Sequence, residues 1–526
     1  MGSATPYSYD EVPYESNPFP QTHPDRLAVM ATLFGMKPKP INRCRVLELG
    51  CASGGNLIPM AYALPASRFV GVELSARQVA EGQALLEAVG LKNIELRQLS
   101  IADVNKGFDE FDYIIAHGVY SWVPDAMQEK ILEICRANLD ANGVAYVSYN
   151  TYPGWHYRGM IRDMMLYHTK QFTDPQARAA QARALLDFLS QSVPTENNAY
   201  GIMLKNELDL LRNLKDYYLI HDHLEEANRP VYFYEFAERA ARHGLQYLGE
   251  ADFNTMLTSN FPKQVADTLR QVSNDIIRTE QFMDFLRNRT FRQTLLCRKE
   301  LVLNRNLGPR DVMGFRIASA VKPVSENLSL QATHPESFRA PTGASFTTAN
   351  PLVKAAFQHL AEIWPQSAPF DDLIIAARSR LASVLIQDGN AMARDAEALG
   401  ADILTCYTSN LVEFHAHQPD FVTKINDRPT ASPLARLQAK TNSRVTNQRH
   451  ESITVDVFNR HLLGLLDGRR VREAILDDLV KLVSDGTLVV QQEGKPIKED
   501  ESLRTILAKV LDQNLLNLTK AALLVG

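Results

Sequence analysis

A chain of 526 residues is too long for one hydrophobic core and is expected to divide into two to four domains. With 45% hydrophobic and 22% charged residues it is an ordinary globular sequence, and a net charge of −5 gives no overall electrostatic reason to bind nucleic acid or anionic lipid. Five widely spaced cysteines without a C-x-x-C pair exclude a disulfide or zinc framework, and no run reaches the ~18 apolar residues of a membrane span, so the expectation is a reduced, cytoplasmic protein with no membrane span.

The leader MGSATPYSYDEVPYESNPFP lacks the charged and apolar regions of a signal peptide. From Arg26 the pattern alternates. RLAVMATLFG reads as a helix, CRVLELG as a buried strand, NLIPMAYAL as a helix, RFVGVE as a strand and SARQVAEGQALLEAVG as a helix ending on Gly90. IELRQLS, FDYIIAHG and VAYVSYN complete five strands, with the helix DAMQEKILEICRANL before the last. Strands alternating with helices at this spacing predict a doubly wound Rossmann-like α/β sheet, whose ligands bind at the carboxyl ends of its strands.

After Trp155 the pattern is helix alone, and residues 156–228 read as a helical insertion. A helix near Phe236 to His243 then feeds a strand at Leu245 to Leu248, and FRQTLLCRK supplies a seventh strand near Gln293 to Cys297. Residues 301–348, rich in Pro, Ser and Thr, read as a linker. Residues 349–526 read as a mainly α, winged-helix-like region of two units. The candidate second helix of the later unit, VREAILDDLVKLV, mixes acidic with basic residues and suits protein docking better than a nucleic-acid groove. Residues 310–526 are accordingly expected to select a partner without building the nucleotide pocket.

The stretch VLELGCASGGNLIPMA sets a strand, a carboxylate, a tight turn and a helix in sixteen positions. A dinucleotide needs G-x-G-x-x-G so that backbone amides can approach a pyrophosphate. Here Ala52 stands at the middle glycine and Glu48 precedes the turn. A carboxylate there repels a pyrophosphate and suits the cationic amino group and sulfonium of S-adenosylmethionine. Glu73 ends the next strand, 23 residues after Gly50, where it can accept from both ribose hydroxyls. Ser100 and Ile101 end the third strand, placed for an adenine edge and face.

ELGCASGG, GVELS, LSIAD, AHGVYSWVP and SYNTYPGW together resemble the successive motifs of class I S-adenosylmethionine-dependent methyltransferases. YDEVPYESNPFPQTHPDRLAVMATLFG and FYEFAERAARHGLQYLGEADF resemble, more narrowly, the bacterial members that carry a methyltransferase regulatory domain, among them the lysine methyltransferases that modify outer-membrane proteins. The resemblance implies a methyltransferase domain over residues 1–300 with a regulatory segment over about 215–300. It implies S-adenosylmethionine as cofactor and S-adenosylhomocysteine as product, held by Glu48, Gly50, Cys51, Ala52, Gly54, Asn56, Glu73, Leu74, Ser100, Ile101 and His117. Ala52 and Ser100 depart from the commonest class pattern of Gly and an acidic residue. The aromatic leader is expected to close as a lid, with Tyr14 and His23 as contacts.

The fourth strand runs into AHGVYSWVP, which puts His117, Tyr120 and Trp122 at the acceptor's entrance, with Tyr149 and Asn150 from the fifth strand facing the same cleft. The expected catalytic set is Tyr120, His117, Trp122 and Asn150, a group that suits an amine. No metal is expected: Glu413, His415 and His417 alternate on one strand face but lack further ligands. The leading reading is methyl transfer to a protein side chain, lysine first. Methylation of a small molecule is the alternative, and a donor-binding regulator or scaffold with weak or no catalysis is a third. Apolar helices in the insertion suggest a homodimer.

Overall fold

The computed structural model describes residues 15–212, 214–225, 227–381, 390–489, 491–492, 495–496 and 501–526. Its first helix, α1 (Pro24–Leu33), precedes a regular alternation: β1 (Arg45–Leu49), α2 (Leu57–Ala63), β2 (Arg68–Glu73), α3 (Ala76–Val89), β3 (Ile94–Gln98), β4 (Phe111–Ala116), α4 (Asp125–Ala137) and β5 (Leu139–Asn150). β4 is buried at every position, as a strand covered on both faces must be. After an insertion come α9 (Phe233–Arg242), β6 (Leu245–Glu250), α10 (Lys263–Val272), α11 (Ile276–Arg287) and β7 (Phe291–Arg298).

These strands form one seven-stranded sheet in the order β3-β2-β1-β4-β5-β7-β6. The first five pair in parallel, while β7 runs antiparallel to both β5 and β6, so the sheet is mixed rather than wholly parallel. The order turns back on itself between β1 and β4. Their carboxyl ends diverge there and leave a crevice.

The insertion begins at Gly154 and comprises α5 (Gly154–Thr169), α6 (Pro175–Ser192), α7 (Ala199–Arg212) and α8 (Asp216–His223). It has its own small core, in which Ile161 and Met165 meet Leu186 and Leu208. Among the described residues, no helix is long and apolar enough to cross a membrane.

Residues 301–348 are not a linker. They hold β8 (Arg316–Ala318) and the three-stranded sheet of β9 (Lys322–Pro323), β10 (Glu336–Arg339) and β11 (Ser345–Thr348). Phe315, Ile317 and Phe338 are buried in the same hydrophobic core as Leu27 and Val46 of the first domain. Strands of two to four residues carry too little periodicity to stand out against the Pro, Ser and Thr around them.

β8 pairs antiparallel on one side with β12 (Ala368–Pro369) and on the other with β13 (Glu413–His415), so it completes the sheet of the unit built from α12 (Pro351–Ile363), α13 (Phe370–Arg380) and α14 (Ala391–Thr408). The last unit packs α15 (Pro433–Thr441), α16 (Val457–Leu465), α17 (Arg472–Ser484) and α18 (Glu501–Lys520) around Leu462, Leu463, Ile475, Leu479 and Leu507. Its hairpin is β14 (Arg444–Thr446) with β15 (Ser452–Thr454).

Candidate active site

The turn after β1 is fixed from its neighbour strand: Gly50 N and Cys51 N both donate to Val72 O, at 2.8 and 3.1 Å. Gly50 has φ +72°, and a Cβ there would lie 2.5 Å from Val119 Cγ2. Ala52 takes a left-handed φ of 49° despite its side chain. What holds it is Glu73, whose Oε2 accepts from Ala52 N at 3.0 Å while Oε1 accepts from Ser75 N at 3.0 Å. Each oxygen keeps a second lone pair for a hydroxyl group. Leu74 follows and is exposed, and Ser100 caps the turn Ile101–Asp103 on the adjacent strand end by accepting from Ala102 N.

Glu48 is buried on β1. Its Oε1 accepts from Asn56 Nδ2 at 2.7 Å, and among the described residues its equally buried Oε2 has no hydrogen-bond partner. Burial pushes the Glu48 carboxyl up to about 7, against the hydrogen bond from Asn56 and with the charge of Glu73. An unsatisfied buried carboxylate oxygen under a glycine turn fits a ligand that brings a cationic donor.

Asn56 is the hub of the site. Its Oδ1 accepts from Phe19 N at 2.9 Å and Thr22 Oγ1 at 3.3 Å, and meets Nε2 of His450 at 2.9 Å. The segment from Glu15 lies over the glycine turn, held at Ser16, whose Oγ accepts from Gly55 N at 2.6 Å, and at Phe19, whose ring centroid lies 3.9 Å from that of His117. Glu15 ties the lid to two other regions through an ion pair with Lys215, a hydrogen bond from Tyr217 Oη at 3.2 Å and an ion pair with Arg444 at 3.5 Å. Of the two expected lid contacts, Tyr14 lies outside the described residues. His23 caps α1 instead, its Nδ1 accepting from Asp25 N at 3.1 Å.

His117 sits where β4 ends, with Nδ1 2.9 Å from Tyr146 Oη and its ring edge-on to Phe291. Burial pulls its pKa down to about 4, so the imidazole is neutral at pH 7. Tyr120 is not at the acceptor's entrance. It is fully buried, packed against Phe236 at 5.2 Å and Tyr149 at 5.8 Å, in the core on the other side of the strand ends. The cause is the tight turn Tyr120–Trp122, which sends its first residue inward and leaves Trp122 part-exposed at the rim. Tyr149 likewise points into the core, stacked on Phe236 at 4.2 Å. Asn150, one residue on, alternates back to the cleft; its N–H donates to Ser121 Oγ and its Nδ2 to Asn228 Oδ1.

Trp122 meets Trp155 edge to face at 6.4 Å, and from there a groove of about 790 Å³ runs along α5 past Tyr152, His156, Met160, Asp163 and Tyr167. On the other flank Phe291, Arg287, Asn254 and Asn260 line a polar groove of about 530 Å³. Apart from Trp122, none of these was singled out in the sequence, nor were Ser16, Phe19 and His450. Phe19 had a signal in the aromatic leader, but His450 in TNQRHES had none.

Glu413 and His415 are spent on ion pairs with α1. His415 Nδ1 lies 2.7 Å from Asp25 Oδ2, and Glu413 meets Arg26 at 2.6 Å and Arg449 at 2.7 Å. Ala416 N and His417 N donate to the other Asp25 oxygen. The C-terminal region therefore contacts the first domain at α1 and, through His450, at Asn56 beside the glycine turn, where the expectation had residues 310–526 selecting a partner without building the nucleotide pocket.

Comparison with known proteins gives the same architecture. A methyltransferase domain family matches residues 47–145, a predicted methyltransferase regulatory domain matches 215–298, and the PKMT C-terminal winged helix domain matches 427–523. An uncharacterised protein of Rickettsia prowazekii (strain Madrid E) is 40% identical over 525 residues, 98% of this chain and 93% of that one. PKMT2 from Rickettsia typhi is 30% identical with a TM-score of 0.88 over 98% of this chain and 100% of its own, and its complex with AdoHcy matches with a TM-score of 0.87. Likeness over the whole length, together with the three domain families along the chain, settles the membership: the chain belongs to the class I S-adenosylmethionine-dependent methyltransferases that carry a regulatory domain and a PKMT winged-helix domain.

Proposed function

We propose that this methyltransferase transfers its methyl group to a protein side chain, with lysine as the favoured acceptor. The observation that carries the reading is the groove along α5: about 790 Å³, open along its length, lined by Tyr152, Trp155 and His156 with Asp163 as its carboxylate. An open groove suits an extended segment better than a small metabolite, and aromatic faces beside a carboxylate suit a cationic side chain. The PKMT designation of the winged-helix family and of the Rickettsia typhi relative supports the same acceptor.

Glu48, Glu73, Leu74, Ser100, Ile101 and His117 are the residues proposed to hold the donor. S-adenosylmethionine supplies a methyl group on a sulfonium, so the leaving group is a neutral thioether and the protein's task is placement. Glu48 would receive the cationic end, and Phe19 over His117 excludes water from above. His117, neutral with a pKa near 4, is too weak a base to take a proton from a lysine ammonium, so the acceptor is proposed to lose that proton to solvent in the open groove. Trp122 and Asn150 frame the entrance. A homodimer through exposed Phe188, Ile202 and Leu210 of the insertion is also proposed, checked by sedimentation velocity against concentration.

Incubating the enzyme with methyl-labelled donor and cell lysate tests the acceptor. Label in protein, recovered as methyl-lysine after hydrolysis, is expected; label confined to small metabolites would replace this reading with the small-molecule one. On the captured substrate, with the donor saturating so that Glu48 is held ionised, log kcat/KM should rise by about one per pH unit between about pH 6 and 9, in the parent and in His117→Asn alike. A limb lost only in the variant would restore His117 as the base.

A further inference from the structure

The hairpin of the last unit does something the methyltransferase domain cannot do alone. Its turn, residues 447–451, carries His450 to the far side of Asn56 from Glu48. The amide of Asn56 is oriented by its Nδ2, which donates to the Glu48 carboxylate, so Oδ1 is the acceptor and His450 Nε2 bears the proton. Burial holds the His450 imidazole well below its ordinary pKa, which keeps it neutral, and the acceptor facing Nε2 selects the tautomer. A hydrogen bond to an amide oxygen polarises the amide and strengthens donation from its nitrogen.

The turn is braced for this position. His450 has φ +61°, in the left-handed region for a residue with a side chain. Asn447 Oδ1 accepts from Arg449 N and Glu451 N, its Nδ2 donates to Ala521 O, and Arg449 pairs with Glu413 while its guanidinium lies over the Trp364 ring. Both C-terminal units thus hold the turn against the donor side of the sheet.

We propose that the tip of the β14–β15 hairpin is part of the donor site and that His450 is a positioning residue, acting through Asn56 to orient Glu48 toward the cationic end of S-adenosylmethionine. This rests on the reading of Glu48 as the donor's carboxylate.

Calorimetric titration of the full-length protein with S-adenosylhomocysteine tests both and separates them. His450→Ala should weaken binding about tenfold, and His450→Gln, whose amide N–H reaches the same place, should return it to within about threefold of the parent. In a Glu48→Gln background, His450→Ala should weaken binding by no more than about twofold, because the group it serves is gone. If His450→Ala lowers the melting temperature of the donor-free protein, His450→Met, similar in volume and without the N–H, takes its place in the same cycle. Unchanged affinity in His450→Ala, no recovery in His450→Gln, or an equal loss in both backgrounds overturns the proposal while Glu48 stands. Unchanged affinity in Glu48→Gln alone overturns the reading of Glu48 and the proposal with it.

Discussion

Glu48 shows how one side chain can serve binding at the expense of stability. Its carboxyl is raised from the ordinary 4.5 to about 7 in the folded protein. A raised pKa in an acid means that the folded state holds the proton more tightly than the unfolded state. The charged form therefore destabilises the fold above pH 7, and that loss is recovered as pH falls from 7 to 4.5. Glu48→Gln should stabilise the donor-free enzyme at pH 8 by on the order of 1–3 kcal/mol and much less at pH 5, while weakening donor binding. Thermal melts at the two pH values, with and without S-adenosylhomocysteine, check both signs. The turn residues were legible in sequence because Glu48, Ala52 and Glu73 act on one another across a single strand–helix–strand unit. Tyr120 and Tyr149 were not, because a one-turn helix and a strand's alternation decide which of two adjacent residues faces the cleft.

Among the elements, the lid depends on a single missing side chain. A Cβ at Gly55 would lie 2.3 Å from Ser16 O and 2.6 Å from Ser16 Oγ, so Gly55→Ala must push the leader away and lift Phe19 from His117. The expected outcome is a dissociation rate for S-adenosylhomocysteine about tenfold faster, together with protease cleavage near Asn17 to Phe19, followed by stopped-flow and by limited digestion. A variant that keeps the parent's rate would make the lid an ornament of the donor-free state. Long elements were legible: the buried run of β4 and the amphipathic helices announce themselves by period. β8 was not, since three residues acquire meaning only from β12 and β13, which follow about fifty and a hundred residues later.

For the whole molecule, the two halves share one core. A chain of rings runs from Phe34 at the end of α1 through Phe253 and Tyr407 to Phe414 and Phe315, with successive centroids 6.2, 5.4, 4.0 and 5.3 Å apart. Cutting after Arg305 would uncover Phe253, which packs on Tyr407, and strip Asp25 of His415 and Arg26 of Glu413. Such a fragment should aggregate or melt well below the intact protein, and the first 420 residues should unfold in one calorimetric transition. A soluble fragment ending at Arg305 with the parent's melting temperature would show that the ring chain joins two independent domains.

The ion pairs of α1 also fix a schedule. His415 lies 390 residues after Asp25, so a ribosome adding about 5–20 residues per second needs about 20–80 s to supply it. Through that interval Asp25 and Arg26 wait beside an unfinished chain, and the lid that leads into them has no anchor in the C-terminal units. The ion pairs of the first helix are thus among the last contacts to form, and the tie of Glu15 to Arg444 and the bond of His450 to Asn56 wait until the last unit has emerged.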